Sequence, residues 1–306
     1  MKIKHNSLVE YVILGVLGSL VVLTLAVPPL LRDRRCAPVL SLSVLLRDTD
    51  NSWTAARQGM ELAADELGAE LRFLTLTTSN SGEEQEELFL RELEGGADAL
   101  IVVPSDLEGL YAALLQSPKL CPVVTLECAM AGGAGGVSPD NPEVGRQLAQ
   151  ALLEDWESGE VLLLDNSAAC PETAQRLAGA QETLSQADVP FRPVSALPQD
   201  GLSIQWVITF EAGATRQAAE YKESEELAFA LYGVGTSTAI TVSLERGTIA
   251  AAAAWSDYAA GYLAVRQAVE AAQGNSRSLE SLAFSIVRGE DIYAPENQKL
   301  LFPVTS

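Results

Sequence analysis

The chain has 306 residues and a formal net charge of −21. So acidic a surface repels nucleic-acid backbones and disfavours a polybasic membrane-surface role, so nucleic acid is not an expected partner. The single histidine, His5, precedes the first apolar segment. Any domain after it therefore lacks Ser–His–Asp and Cys–His chemistry and histidine-ligated metals.

In chain order, Met1-Lys-Ile-Lys4 is basic and Tyr11–Leu31 carries no charge, a length that spans a bilayer core. Residues 8–31 are expected to anchor the chain in a membrane as an N-terminal transmembrane helix. Thr24-Leu-Ala26 offers a cleavage site that would instead leave the domain secreted. Flanking charge does not set the orientation, because Lys2 and Lys4 precede the segment and Arg32, Arg34 and Arg35 follow it. Of the cysteines Cys36, Cys121, Cys128 and Cys170, none forms a CxxC pair. Cys121 and Cys128 flank a run that reads as a strand and would sit roughly 23 Å apart, beyond disulfide reach. They are expected to be small buried hydrophobes.

With 48% hydrophobic residues, the remaining chain can bury two cores of ordinary domain size. Periodicity predicts strand 39–46, helix 53–67 ended by Gly68, strand 70–76, helix 83–93, strand 98–103, helix 107–115 and strand 123–127. A glycine-rich loop, 129–136, interrupts the pattern. It restarts with Val137, helix 142–156, strand 160–165, helix 171–186 and strand 191–197. Strand 205–210, helix 212–221, strand 228–234, helix 236–244, strand 248–254 and helix 258–272 follow. Alternation with near-continuous apolar strands predicts an α/β fold with parallel sheets covered on both faces. Two successive blocks predict two lobes, with a ligand beyond the carboxyl ends of the strands in the cleft between them. Ala131-Gly-Gly-Ala-Gly-Gly136 opens no helix and is not read as a phosphate loop, and Gly233-Val-Gly235 lacks the third glycine of a dinucleotide fingerprint.

Several segments carry a resemblance. "LLRDTDNSWTAARQGMELAADELG" (45–68), "GADALIVVPSD" (96–106), "PVVTLE" (122–127), "VSPDNPEVGRQLA" (137–149), "RLAGAQ" (176–181) and "SDYAAGYLAVRQAVEAAQG" (256–274) resemble, in this order, periplasmic binding proteins of the ribose and galactose kind. The likeness covers nearly the whole chain after Ala37. It implies two Rossmann-like lobes joined by a three-strand hinge near Asp140, Trp255 and Leu282. Residues 38–139 plus 255–281 would form the first lobe, and 140–254 plus 282–306 the second. Residues 1–37 would be the anchor, or signal, and linker. It further implies an extracytoplasmic domain at the cell membrane that is not an enzyme, needs no cofactor, and delivers a sugar or polyol to a transporter permease or a sensor.

By the same resemblance, Trp53 stands where the family stacks an aromatic on the sugar, and Asp50 where it makes a polar contact. Glu127 stands where the family has a hydroxyl-binding aspartate, although the arginine that follows is here Cys128. Arg176 matches the second-lobe arginine, and Asp140 with Asn141 the hinge-strand pair. Three positions depart: Phe210 replaces an asparagine, Val234 an aspartate and Trp255 a glutamine. Since a hydroxyl buried without a partner costs about 1–3 kcal/mol, the site is expected to suit a flatter or less hydroxylated ligand. The alternative is an anchored scaffold of the same fold without high-affinity sugar binding. Lastly, only residues 198–204 separate the strands at 191–197 and 205–210, too few for a helical crossover. A covering helix is expected to be absent, and a partner or second copy to dock near Phe191, Leu202 and Ile204.

Overall fold

A computed structural model describes residues 15–18, 39–48, 53–118, 121–168, 170–198, 204–275 and 277–302. The chain divides into Met1–Val39 and Leu40–Ser306. In the first unit residues 15–18 are helical. Among the described residues no helix is long and apolar enough to cross a membrane. Apart from 15–18, the segment 8–31 lies outside the described residues, as does Asp50.

The second unit is α/β. Its first sheet holds β1 (Leu40–Leu45), β2 (Ala69–Leu74), β3 (Ala99–Val102), β4 (Val123–Leu126), β5 (Gly135–Pro139) and β11 (Leu279–Leu282) in the order β11-β5-β4-β3-β1-β2. Its second sheet holds β6 (Val161–Leu164), β7 (Phe191–Val194), β8 (Trp206–Thr209), β9 (Ala230–Val234), β10 (Ala251–Trp255) and β12 (Phe284–Arg288) in the order β12-β10-β9-β8-β6-β7. Every pairing is parallel except β10 with β12. β1, β3 and β4 are almost wholly buried apolar runs, as a sheet covered on both faces requires. The helices are α1 (Thr54–Leu67), α2 (Gly82–Gly95), α3 (Leu107–Gln116), α4 (Asn141–Asp155), α5 (Pro171–Gln186), α6 (Ala212–Ser224), α7 (Thr238–Glu245), α8 (Asp257–Ala272) and α9 (Pro295–Leu301). Three connections pass between the sheets: β5 to β6 through α4, β10 to β11 through α8, and β11 to β12 across Ala283.

Two helix pairs, α1 with α8 and α4 with α5, pack at unusually short range, and glycines make this geometry. A Cβ at Gly59 would collide with the Tyr258 carbonyl oxygen, and one at Gly261 with that of Ala56. In the other pair a Cβ at Gly145 would collide with the Arg176 carbonyl oxygen, and one at Gly179 with that of Pro142. The two contacts have the same spacing, so Ala56-x-x-Gly59 on α1 matches Arg176-x-x-Gly179 on α5.

The sequence reading missed β5, β11, β12 and α9. Their segments are short and mixed in polarity, and β11 is exposed at alternate positions. Between β7 and β8 no helix occurs among the described residues; Leu202 and residues 199–203 lie outside them. The exposed docking face expected there is not found among the described residues. Ile204 is buried, and it packs with partly buried Val194 and Leu197 against Leu162, Val207 and Ala218. The Tyr221 hydroxyl donates to the Pro198 carbonyl at 2.9 Å, so α6 and the loop close the gap. Phe191 packs into the core on the opposite face of the sheet.

Candidate functional site

The carboxyl ends of strands from both sheets meet over one small interior. Arg47 lies two residues beyond β1, Glu127 directly follows β4, Glu211 lies two beyond β8, Val234 and Trp255 end β9 and β10, and α5 enters from its N-terminal turns. Trp53, Glu127, Arg176, Val234 and Trp255 line a cavity of about 40 Å³, together with Arg47, Glu211, Ala212, Gly235 and Asp257. Thus five of the eight residues singled out in the sequence come together. Phe210 stands behind the wall: its ring is fully buried in the core, and only its carbonyl oxygen reaches the site, accepting from Arg176 Nη1 at 2.9 Å. Asp140 is exposed and caps α4, accepting from Glu143 N at 3.1 Å.

Two buried ion pairs join the sheets in opposite sense. Arg47 Nη1 meets Glu172 Oε1 at 2.8 Å, with side chains 4% and 0% exposed. Arg176 Nη2 meets Glu127 Oε2 at 2.6 Å, with side chains 1% and 12% exposed. Glu172 and Arg176 stand one turn apart on α5, so one helix face presents both charges to the first sheet. Arg176 Nε also donates to Asn141 Oδ1 at 2.8 Å, and Asn141 Nδ2 donates to the Glu127 carbonyl at 2.7 Å. Each guanidinium lies over an indole: Arg47 is 5.8 Å from the Trp53 ring centre and Arg176 4.8 Å from that of Trp255. Burial works against the Arg47 charge, yet Glu172, then Glu211 and Glu127, hold its pKa well above the usual arginine value. Glu127 itself adopts φ 70°, a left-handed conformation that costs a non-glycine residue about 1–2 kcal/mol. Its peptide is pinned by Val137 O, which accepts from Glu127 N at 3.0 Å, and by Asn141.

Asp257 differs from the other carboxylates. Thr236 Oγ1 donates to its Oδ2 at 2.6 Å, and no lysine or arginine among the described residues pairs with it. Burial first, and the nearby charge of Glu127 second, push its pKa up to about 7, against the lowering effects of Thr236, Arg176 and Trp255. Glu211 is engaged as the cap of α6, accepting from Gly213 N and Ala214 N, both at 2.8 Å. Cys128 and Cys170 are buried free thiols. Burial pushes both pKa values up, that of Cys170 to about 12, so neither is a ready nucleophile. Cys121 is partly buried, and no group of residues that could hold a metal occurs among the described residues.

Four of these participants, Arg47, Glu172, Glu211 and Asp257, escaped the sequence reading. Glu211 and Asp257 look like ordinary helix-start acids, and Arg47 and Glu172 acquire their roles only by facing each other across the sheets. The one available signal was the odd burial demand of an arginine directly after an apolar strand.

A family model described as "Periplasmic binding protein domain" matches residues 42–276. No curated protein matches in sequence. Among solved structures, a carbohydrate transporter solute binding protein from Agrobacterium radiobacter in complex with D-arabinose is similar at 15% identity, covering 87% of this chain and 99% of that one, with a TM-score of 0.76. An ABC transporter solute binding protein from Agrobacterium vitis bound with alpha-D-tagatopyranose gives 16% identity, coverage of 86% and 99%, and a TM-score of 0.76. A Caulobacter myo-inositol binding protein bound to myo-inositol gives 18% identity, coverage of 85% and 97%, and a TM-score of 0.72. At these identities the likeness carries the fold.

Proposed function

The chain belongs to the periplasmic binding protein domain family, and we propose that it is an extracytoplasmic solute-binding protein, not an enzyme, that takes a small sugar-like or polyol ligand between two lobes. In this reading residues 38–139 plus 255–281 move against 140–254 plus 282–306, and the three connections between the sheets act as the hinge. Residues 8–31 hold the domain at the membrane, where a transporter permease or a sensor receives the ligand. The observation that carries the reading is convergence. Trp53 and Glu127 from the first sheet, and Arg176, Val234 and Trp255 from the second, face one interior at the strand ends, where open α/β sheets bind ligands. Trp53→Ala is proposed to weaken the ligand through loss of a stacking wall.

A second reading has its own support. The cavity of about 40 Å³ lies far below the ~300–1,000 Å³ of small-molecule sites, and its arginines are already matched by carboxylates from the opposite sheet. Such a cleft fits a membrane-anchored scaffold that has lost high-affinity sugar binding. Thermal unfolding of residues 38–306 with arabinose, tagatose and myo-inositol in turn separates the two. A ligand bound only to the native state at about 100 times its Kd adds ~2.7 kcal/mol of stability. A rise in Tm supports the receptor; an unchanged Tm with all three supports the scaffold. For the anchor, the full chain is expected to stay with membranes through an alkaline wash and the truncated chain to be released.

A further inference from the structure

The narrow interior is not the only opening between the sheets. Directly outside it lies a groove of about 790 Å³, which shares Ala212 and Asp257 with the inner cavity. Its walls come from both sides: Thr54 and Gln58 on α1 and Asp257 at the start of α8, against Arg216 on α6 and Thr236 and Ser237 before α7. This volume falls within the range of small-molecule sites, and the inner one does not. The lining is rich in hydroxyls and contains one amide, so it can exchange hydrogen bonds with a hydroxylated ring.

Charge narrows the class of ligand. Across the inner cavity and the groove, Glu172 is matched by Arg47 and Glu127 by Arg176. Arg216 is matched by Glu220 at 2.9 Å, and Glu211 is held by backbone amides. Among the described residues Asp257 alone has a hydroxyl partner and no cation. A half-buried carboxylate without a counter-ion is costly, and a bound cation relieves it. Trp53 supplies an independent sign: it is 9% exposed and lines the inner cavity, and its indole N–H has no partner among the described residues. That donor requires a ligand atom or water that accepts.

Resting on the solute-binding reading above, we propose that the ligand sits in this outer groove, over the narrow inner cleft, and is a monosaccharide-sized, hydroxylated molecule bearing a protonated amine whose counter-ion is Asp257. The amine donates to the Asp257 carboxylate, and the hydroxyls exchange hydrogen bonds with Gln58, Thr236 and Ser237. The inner residues then form the floor and hold the lobes in register. Burial raises the Asp257 pKa, and Glu127, Arg176, Thr236 and Trp255 are the charged and polar groups that face it. Amine binding therefore strengthens as pH rises and the carboxylate ionises, until the amine itself gives up its proton near about pH 8, while a neutral sugar gains nothing from that step.

Three probes of one shape and different charge test this by calorimetry on residues 38–306: D-galactosamine, D-galactose and D-galacturonate. The expected result is galactosamine binding at least tenfold tighter than the other two, with the advantage growing between about pH 5 and pH 7 and falling again above about pH 8 as the amine loses its proton. Asp257→Asn is expected to erase the advantage while its unliganded Tm stays at or above that of the parent. Ala239→Trp, at an exposed groove position, is expected to block all three. Galactose or galacturonate binding as tightly as galactosamine overturns the amine assignment and leaves the solute-binding reading standing. Unaltered binding by Ala239→Trp overturns the groove. Failure of all three to bind a parent protein whose Tm rises with arabinose, tagatose or myo-inositol overturns the inference alone; failure with those sugars as well overturns the reading on which it rests.

Discussion

Helices α1 and α5 occupy equivalent places. Each follows the first strand of its sheet, and each meets a partner helix through a glycine three residues after a matched position, Ala56 on α1 and Arg176 on α5. Their N-terminal halves nevertheless do opposite things. α5 drives Glu172, Thr173 and Arg176 into the interior and clamps Arg47 and Glu127 of the other sheet. α1 carries alanine at the matched position and leaves Thr54 and Gln58 exposed on the groove. Backbone packing is thus shared between the halves, while charge is not. The side with the ion pairs holds the joint, and the side without them is available to a ligand.

Matched glycine substitutions press the shared part hardest. Gly59→Ala and Gly179→Ala each push a methyl group into a backbone oxygen of the partner helix, and neither oxygen can step aside like a flexible side chain. Each is expected to cost about 4 kcal/mol or more, read from urea denaturation. Tolerance of one and not the other would end the claim that the helix pairs are equivalent. Next comes the unshared part. Glu172→Gln keeps the volume but leaves Arg47 buried without its carboxylate, an expected loss of about 3–5 kcal/mol. A loss below 1 kcal/mol would mean that α5 is not the clamp.

Asp257 sits where the two sides meet, and its sign runs against the usual carboxylate. Its folded pKa of about 7 lies above the unfolded value of ~3.9, so its contribution is fully present below pH 4 and is lost as pH rises through 7. Asp257→Asn is expected to match the parent near pH 4 and to exceed it by about 1–3 kcal/mol at pH 8. A constant difference across that range would show that the carboxylate does not titrate there. The smallest effect is reserved for the open side: Gln58→Ala is expected to stay within ±0.5 kcal/mol of the parent in stability. A larger loss would give α1 a structural role like that of α5.

The distribution of what could be read in advance follows from range. Helices α1 to α8 and the strands up to β10, β5 excepted, were legible because period, capping residues and glycine stops are local, as at Ser81 and Asp106, which cap α2 and α3. That no crossover helix occurs among the described residues between β7 and β8 was legible too, since chain length alone forbids it. Its consequence was not. Whether Ile204 lies open or buried depends on where Tyr221 on α6 reaches, and that is set by packing between segments far apart in sequence.

The sequence by itself determined the α/β class, the repeated strand–helix order, the lack of histidine chemistry, and the convergence of Trp53, Glu127, Arg176 and Trp255 that the resemblance implied. Only the tertiary structure decided that Arg47 faces Glu172, that Arg176 grips Glu127 of the opposite sheet, and that Asp257 has no cation among the described residues beside a groove of about 790 Å³. The reason is physical. Periodicity is written in neighbouring residues, whereas the pairing of a charge depends on distances between side chains 49 or more residues apart, and those distances exist only once the sheets have met.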